Sequence, residues 1–258
     1  MSVKTKIYFA SDFHLGAPNY SDSMAREHKI VSWLSQIQKD ASEIYLVGDI
    51  FDFWYEWKHA IPKGHVRILG KLAEICDLGI PVHFFTGNHD LWTFGYLEQE
   101  IGMKVYRNPI QVTLQNKKCY IGHGDGLGDG DKKYKVLKNL FTSRSCQWLF
   151  SRLHPNFSFG LANLLSRKSR IANKESDAIF TRSENEWLAN YSKDILEKSH
   201  FDYFIFGHRH LPLDIELNKS SRYINLGEWL NYNSYGVLEN GVLELKFFQS
   251  NYSKVVNK

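Results

Sequence analysis

The residues able to do chemistry fall in five short clusters: Asp12 with His14, Asp49, Asn88-His89-Asp90, His123, and His208 with His210. Together they offer imidazole nitrogens with carboxylate and amide oxygens, and no thiolate. That donor set suits Mn²⁺, Fe or Zn²⁺ and is poorly matched to calcium or an iron–sulfur cluster. In Asp12-Phe-His14 and His208-Arg-His210 the paired residues are at i and i+2, which an extended chain projects to the same side, so two pairs could grip one ion. Each cluster also has a plainer reading. Gly-Asp at a strand end is a common turn, and Asn-His-Asp could cap a helix starting in "LWTFGYLEQE".

His123 lies in "GHGDGLGDGD", which invites other readings. A calcium loop of the EF-hand type needs a bidentate Glu at its twelfth position, and counting from Asp125 or Asp129 reaches Val136 or Leu140. A phosphate loop needs Gly-Lys-Ser/Thr, whereas Gly130 is followed by Asp131 and Lys132. The pattern does not recur at a fixed period, so it is no repeat. Gly-His-Gly-Asp as part of a transition-metal site remains, with Asp125 expected to orient a neighbouring His.

Each cluster terminates an apolar, β-branched or aromatic run: "KIYFASD", "EIYLVGD", "PVHFFTGNHD", "KCYIGHGD" and "DYFIFGHRH". Runs of this kind read as buried strands, and helical patterns between several of them indicate β-α-β units. Ligands gather at the carboxyl ends of such strands, so the five clusters can converge although they span about 200 residues. "SDSMAREHKIVSWLSQIQKD" places Ile30, Trp33, Leu34 and Ile37 on one helical face from a Ser or Asp cap, and "GHVRILGKLAEICDLG" predicts a second helix ending near Gly79. Asn240-Gly241 predicts a tight hairpin. Between Asp131 and Leu196 the strand signal gives way to helical patterns. The expected organisation is a core of residues 1–126 and 199–258 interrupted by a helical cap insertion, 127–198.

The 258 residues suffice for one large α/β domain with an insertion. A formal net charge of +4 fits a phosphate-bearing or acidic-membrane partner and falls short of a nucleic-acid binder, and the core shows no sustained basic stripe. Three scattered cysteines imply neither a disulfide framework nor a zinc knuckle and fit a reducing cytosol. No segment has the roughly 18 apolar residues of a membrane span, and the apolar run before Ser11 is too short for a signal peptide, so membrane contact is expected to be peripheral.

Taken in order, D-x-H, G-D, G-N-H-D, G-H-G-D and G-H-x-H resemble the calcineurin-like metallophosphoesterases from Lys6 to about Gly227. The resemblance implies an α/β fold, a two-sheet β-sandwich flanked by helices, with two divalent metal ions, Mn²⁺ first and Zn²⁺ or Fe as alternatives. It also implies that Asp12, His14 and His210 hold one ion, that Asn88, His123 and His208 hold the other, and that Asp49 bridges them. His89 is then the group that binds the scissile phosphate and protonates the leaving group, with Asp90 beside it in the catalytic set. Paired ions of this kind lower the pKa of water and clamp the oxygens of an in-line displacement at phosphorus.

"GDIFDFW", "NLGEW" and the helical insertion resemble a narrower group, the UDP-2,3-diacylglucosamine diphosphatase family, which splits a pyrophosphate into UMP and a diacylglucosamine phosphate. The resemblance implies a UDP-linked acylated sugar as substrate and residence in the cytoplasm against the inner membrane of a Gram-negative-type bacterium. Substrate contacts are then expected from Asn88, His89, Asp131, Ser169, Asn173, Lys174, Trp148 and Phe150. One departure is His89, where that family carries Arg. In "CQWLFSRLHPNFSFGLANLLSRKSRIANK" aromatic and aliphatic residues alternate with basic ones, which suits an anionic acylated ligand or bilayer surface, or else packs the cap onto the core. Trp54, Tyr55 and Trp57 form an aromatic group able to stack a base. A phosphoesterase acting on a nucleotide or another small phosphoester is the competing assignment.

Overall fold

The computed structural model of the protein describes residues 4–128, 132–162, 164, 166, 186–250 and 252. Two β-sheets face one another. The first has the order β11-β10-β1-β2-β3-β4, built from Lys6–Ala10 (β1), Ala41–Val47 (β2), Val82–Phe85 (β3), Lys104–Tyr106 (β4), Ser234–Glu239 (β10) and Val242–Phe247 (β11). The second has the order β5-β6-β7-β9-β8, built from Ile110–Leu114 (β5), Lys117–Gly122 (β6), Tyr203–Phe206 (β7), Pro212–Asn218 (β8) and Ser221–Leu226 (β9). Strands β1 to β4 run parallel, as do β6, β7 and β9, so the chain leaves each set at one end.

Alternation along each strand divides its side chains between two apolar layers. Ile7, Phe9, Tyr45, Val47 and Phe85 meet Cys119, Ile121, Ile205, Ile224 and Leu226 between the sheets. Tyr8, Ala10, Ile44, Leu46 and Phe84 point the other way, onto helices α1 (Tyr20–Ile37) and α2 (Val66–Asp77). The predicted face of α1 is buried, with Ile30, Trp33, Leu34 and Ile37 all 2% exposed or less. Its cap lies slightly upstream of the expected Ser or Asp: Asn19 accepts a hydrogen bond from the Asp22 N–H. The hairpin forms as expected, with Asn240 and Gly241 both at positive φ between paired Glu239 and Val242.

The described part of the insertion begins with α4 (Lys132–Thr142) and α5 (Arg144–Ser151), after a four-residue α3 (Tyr96–Gln99) in the core. The last helix of the expected insertion, α6 (Trp187–Leu196), belongs with the core by its packing. Its Leu188 and Ala189 are fully buried against Phe204, Phe206, Leu213 and Tyr223 on the outer face of the second sheet. A helical period identifies such a segment as amphipathic without saying which surface it covers.

Trp33 is the keystone of the first layer, in ring contact with Tyr8, Phe13, Trp229 and Tyr235. Because Phe13 stands between Asp12 and His14, this packing also anchors the first cluster. Trp33→Ala is expected to lower unfolding free energy by ~3–5 kcal/mol, the usual cost of emptying a buried tryptophan site, measured by urea denaturation.

Candidate metal centre

All seven residues of the expected metal set meet at the carboxyl ends of β1, β2, β3, β6 and β7. Asp12, His14, Asp49 and His210 form one group with ligand atoms within 4.8 Å of one another, and Asp49, His123 and His208 form another. Asn88 joins the second, its Oδ1 lying 3.3 Å from His123 Nε2. Asp49 is common to both groups. The spacing argument for the i, i+2 pairs needs correction: neither pair lies in extended chain. Asp12, His14, Asp49, His208 and His210 all have φ between 44 and 64°, the left-handed region. These loops begin only after β1, β2 and β7 have ended, and they send His208 and His210 to different groups. A non-glycine residue held there costs of order 1–3 kcal/mol.

Contacts behind the ligand groups hold these loops. Both oxygens of buried Asp90 accept backbone N–H groups, Oδ1 from Gly87 (2.7 Å) and Asp49 (3.3 Å), Oδ2 from Ile50 (2.8 Å) and Phe51 (3.3 Å). Asp90 thus fastens the loop after β2 to the loop after β3. The alternative in which Asn-His-Asp caps the next helix fails, since that helix starts after Gly95. Arg26 of α1 donates to the carbonyls of Phe13, His14 and Ala17, fixing the first ligand loop from beneath. A β-carbon on Gly48, Gly87 or Gly207 would collide with His123, Asp49 or Asp12 respectively. Close approach of a ligand side chain is therefore why glycine precedes these clusters.

Electrostatics favour cations. Burial pulls the His14 and His123 imidazoles down, but adjacent carboxylates outweigh it, Asp12 and Asp52 for His14 and Asp49 and Asp12 for His123, pushing both up to about 10. Burial would raise Asp49, yet the His123 and His89 charges hold it well below the usual carboxylate range. Burial, reinforced by the Asp49 charge, pushes Asp90 up to about 7. Protons and divalent ions compete for the same atoms in such a field.

The residues fit a metal pair by geometry as well as by type. His14 Nε2 lies 3.1 Å from His210 Nε2 and 3.7 Å from Asp12 Oδ1, and His210 Nε2 is 3.2 Å from the same oxygen. Ligand atoms at ~2.0–2.2 Å from one ion stand roughly 3.0–3.6 Å apart. Asp12 Oδ1 is buried and accepts no hydrogen bond. His123 Nδ1 is 2.9 Å from the Val47 carbonyl. A carbonyl can only accept, so Nδ1 carries the proton and Nε2 of the neutral ring presents its lone pair to the cluster. Val47 thereby orients His123, while the Asp125 carboxylate takes the Lys138 ammonium of α4 at 2.7 Å and lies in the field of His123 and His208.

His89 sits beside the first group, its ring centroid 4.9 Å from that of His14. Its N–H donates to Asp49 Oδ1 and its Nδ1 to the Asp52 carbonyl, both at 2.9 Å, so Nε2 is the atom left to meet a substrate. Burial is the main cause of its lowered pKa. Asp52 was not singled out in the sequence. Its Oδ1 is 3.6 Å from both His14 Nδ1 and His89 Nδ1, and its Oδ2 accepts from Ser166 of the insertion at 3.0 Å. Its one visible signal was an acid three residues after Asp49.

The insertion's aromatics divide into residues packed on the core and residues left exposed. Phe150 packs onto Tyr55 and Trp92 with centroids 4.9 and 4.5 Å apart, and Phe159 onto Phe53 at 5.2 Å, so these join cap to core. Trp148, Leu149, Phe157 and Leu164 are more than half exposed, and Arg152 lies over the Trp148 ring. Trp54 and Tyr55 are buried, which corrects their expected part in stacking a base. Asp131, Ser169, Asn173 and Lys174 lie outside the described residues.

The chain is similar to proteins already known. The model of the calcineurin-like phosphoesterase family matches residues 5–212. A Porphyromonas gingivalis protein named UDP-2,3-diacylglucosamine hydrolase is 37% identical over 256 residues, covering 95% of this chain and 98% of that one. A Shewanella sp. (strain W3-18-1) protein of the same name is 28% identical over 226 residues, covering 88% and 90%. Among solved structures, a dimetal phosphatase from Danio rerio aligns with a TM-score of 0.49 at 13% identity, covering 96% of this chain and 98% of that one.

Gly87→Ala drives a methyl group into Asp49, the residue common to both ligand groups. Purified with Mn²⁺ and analysed by elemental mass spectrometry, this variant is expected to retain less than half the metal of the parent chain. Full occupancy would contradict the placement of Asp49 between the groups.

Proposed function

Since the chain belongs to the calcineurin-like phosphoesterase family, we propose that it hydrolyses the pyrophosphate of UDP-2,3-diacylglucosamine, giving UMP and 2,3-diacylglucosamine 1-phosphate. The observation that carries the reading is the shared position of Asp49 between two ligand groups, in a chain so similar in sequence and length to the P. gingivalis hydrolase.

In this reading Asp12, His14, Asp49 and His210 hold one divalent ion, and Asp49, Asn88, His123 and His208 hold the second, with Mn²⁺ the first candidate from the donor set. Such a pair supplies Lewis acidity, both to activate water and to stabilise charge on phosphoryl oxygens. The chain's own residues do the rest. His89 Nε2, with Nδ1 pinned on the Asp52 carbonyl, faces the substrate, and in the imidazolium form that a bound phosphate's charge favours it would hydrogen-bond a phosphoryl oxygen or give its Nε2 proton to the departing phosphate. Asp90 acts at one remove, by keeping Asp49 and His89 in register. An imidazole makes one directed hydrogen bond where an arginine would make two, so His89 trades bidentate grip for a group able to shuttle a proton.

The acylated half of the substrate is assigned to the insertion, where exposed apolar side chains stand beside Arg144 and Arg152. Among the described residues no helix is long and apolar enough to cross a membrane. The same exposed patch supports peripheral attachment to an anionic leaflet on the cytoplasmic side.

Incubated with Mn²⁺ and UDP-2,3-diacylglucosamine in detergent, the protein is expected to release UMP, and chelation or Asp49→Ala to reduce the rate at least a hundredfold. Turnover of simple phosphodiesters without release of UMP would redirect the assignment to another phosphoester. The variant Trp148→Ser/Leu149→Ser is expected to lower kcat/KM for the acylated substrate tenfold or more and for a small chromogenic diester less than threefold. Equal losses on both would remove the lipid role of that surface.

A further inference from the structure

The candidate ligand groups form a row. His14, Asp52 and His89 mark one end; Asp12, Asp49 and His210 the middle; His123 and His208 the other end. Each end borders a cavity, and the two differ in size and chemistry. At the His89 end a cavity of about 420 Å³ reaches Asp52 between Leu15, Pro18, Phe53 and Phe159, with Glu27, Lys63 and His65 also in its wall, under the aromatic layer that joins cap to core. At the His123 end a cavity of about 180 Å³ opens between the β4–β5 loop and α4. Its polar lining includes Arg107, Asn108, Lys135 and Lys138, with half-buried Tyr106 as an aromatic wall. Among the described residues that line it, three cationic side chains stand with one carboxylate, that of Asp125.

We propose that the smaller, basic cavity is the nucleotide subsite, which receives the uridine and its phosphate while the acylated sugar lies toward the aromatic end. The assignment rests on the substrate class proposed above and adds the direction in which that substrate crosses the site. Four observations support it. The two halves of the substrate differ as the two ends do: one is bulky and acylated, the other polar, anionic and flat. The smaller cavity is well below the ~300 Å³ at which pockets for drug-sized ligands begin, so it fits a base or ribose and excludes a diacyl sugar. Asn108 carries both a donor and an acceptor on one amide, which matches the adjoining carbonyl and imide N–H of a uracil edge. Of the other candidates for stacking a base, Trp54 and Tyr55 are buried and Trp57 is half-buried against Phe150 and Phe159.

Arg107 is steadied for this role by donating to the Thr93 carbonyl at 2.8 Å, which leaves guanidinium donors for a phosphate or ribose. Lys138 reaches the pocket from α4 while paired with Asp125. The insertion thus contributes to both ends, aromatic side chains at one and ammonium groups at the other.

Calorimetric titration of the Mn²⁺-loaded protein with UMP and, separately, inorganic phosphate tests the assignment, because phosphate alone reports on the metal centre and the difference reports on the nucleotide. UMP is expected to bind at least tenfold tighter than phosphate. In Arg107→Ala/Asn108→Ala that advantage is expected to fall at least tenfold with the phosphate affinity and thermal midpoint retained. Both residues are exposed, so the fold should tolerate the change. An undiminished UMP advantage in the variant, or none in the parent, overturns the subsite. A parent chain that shows the advantage, and whose variant loses it, but that releases no UMP from the acylated substrate would overturn the activity and leave the pocket standing. Release of UMP by the parent with no effect of the variant on UMP binding would do the reverse.

Discussion

Burial of several carboxylates in one small region is the constraint from which the rest of the structure follows. Asp12, Asp49 and Asp90 are each 1% exposed or less, with Asp52 and Asp125 only slightly more accessible. Unpaired charge in such surroundings is strongly destabilising, so every one of these groups must be answered. Asp90 is answered by four backbone N–H groups and Asp125 by an ammonium. Asp12 and Asp49 are answered by imidazoles, with ligand atoms left facing one another at distances that suit coordination. A site of this kind holds its anionic groups ready for divalent cations, so metal binding relieves a cost already built into the fold.

Satisfying that constraint dictates local backbone. Five of the seven candidate ligands adopt left-handed conformations, which is tolerable because Asp90, Arg26 and the Trp33 layer over-determine the loops that carry them. Rigid strand ends set the origin of each loop, and hydrogen bonds set its course. The insertion is then attached where it can influence the chemistry. The Tyr55 hydroxyl and the Trp92 indole donate to the carbonyls of Gln147 and Phe141, while Ser166 and Lys138 reach Asp52 and Asp125 directly. Cap and centre therefore share hydrogen bonds at both ends of the ligand row.

Much of this was legible in one dimension. Short apolar runs ending in polar clusters identified the strands and the edge at which the site forms, and residue types at those ends named the donor set. The buried stripe of α1 and the Asn240-Gly241 hairpin are likewise local in origin, since periodicity and turn chemistry act over a few residues. Other features left no local trace. That α6 covers the second sheet, that Trp54 is buried, and that the Val47 carbonyl orients His123 depend on which surfaces meet.

By itself, then, the sequence determined the inventory: which side chains can bind metal, which segments become strands and helices, and which family pattern they follow. Only the tertiary structure decided how that inventory is shared out. It put the expected sharing of Asp49 and the parting of His208 from His210 into distances, tied Asp90 to the loop after β2, made Asp52 a neighbour of two histidines, and gave the ends of the row cavities of different size. The physical reason is that side-chain type and local period are properties of adjacent residues. Coordination, by contrast, depends on distances of a few ångströms between residues nearly 200 positions apart, and those distances exist only once both sheets have packed.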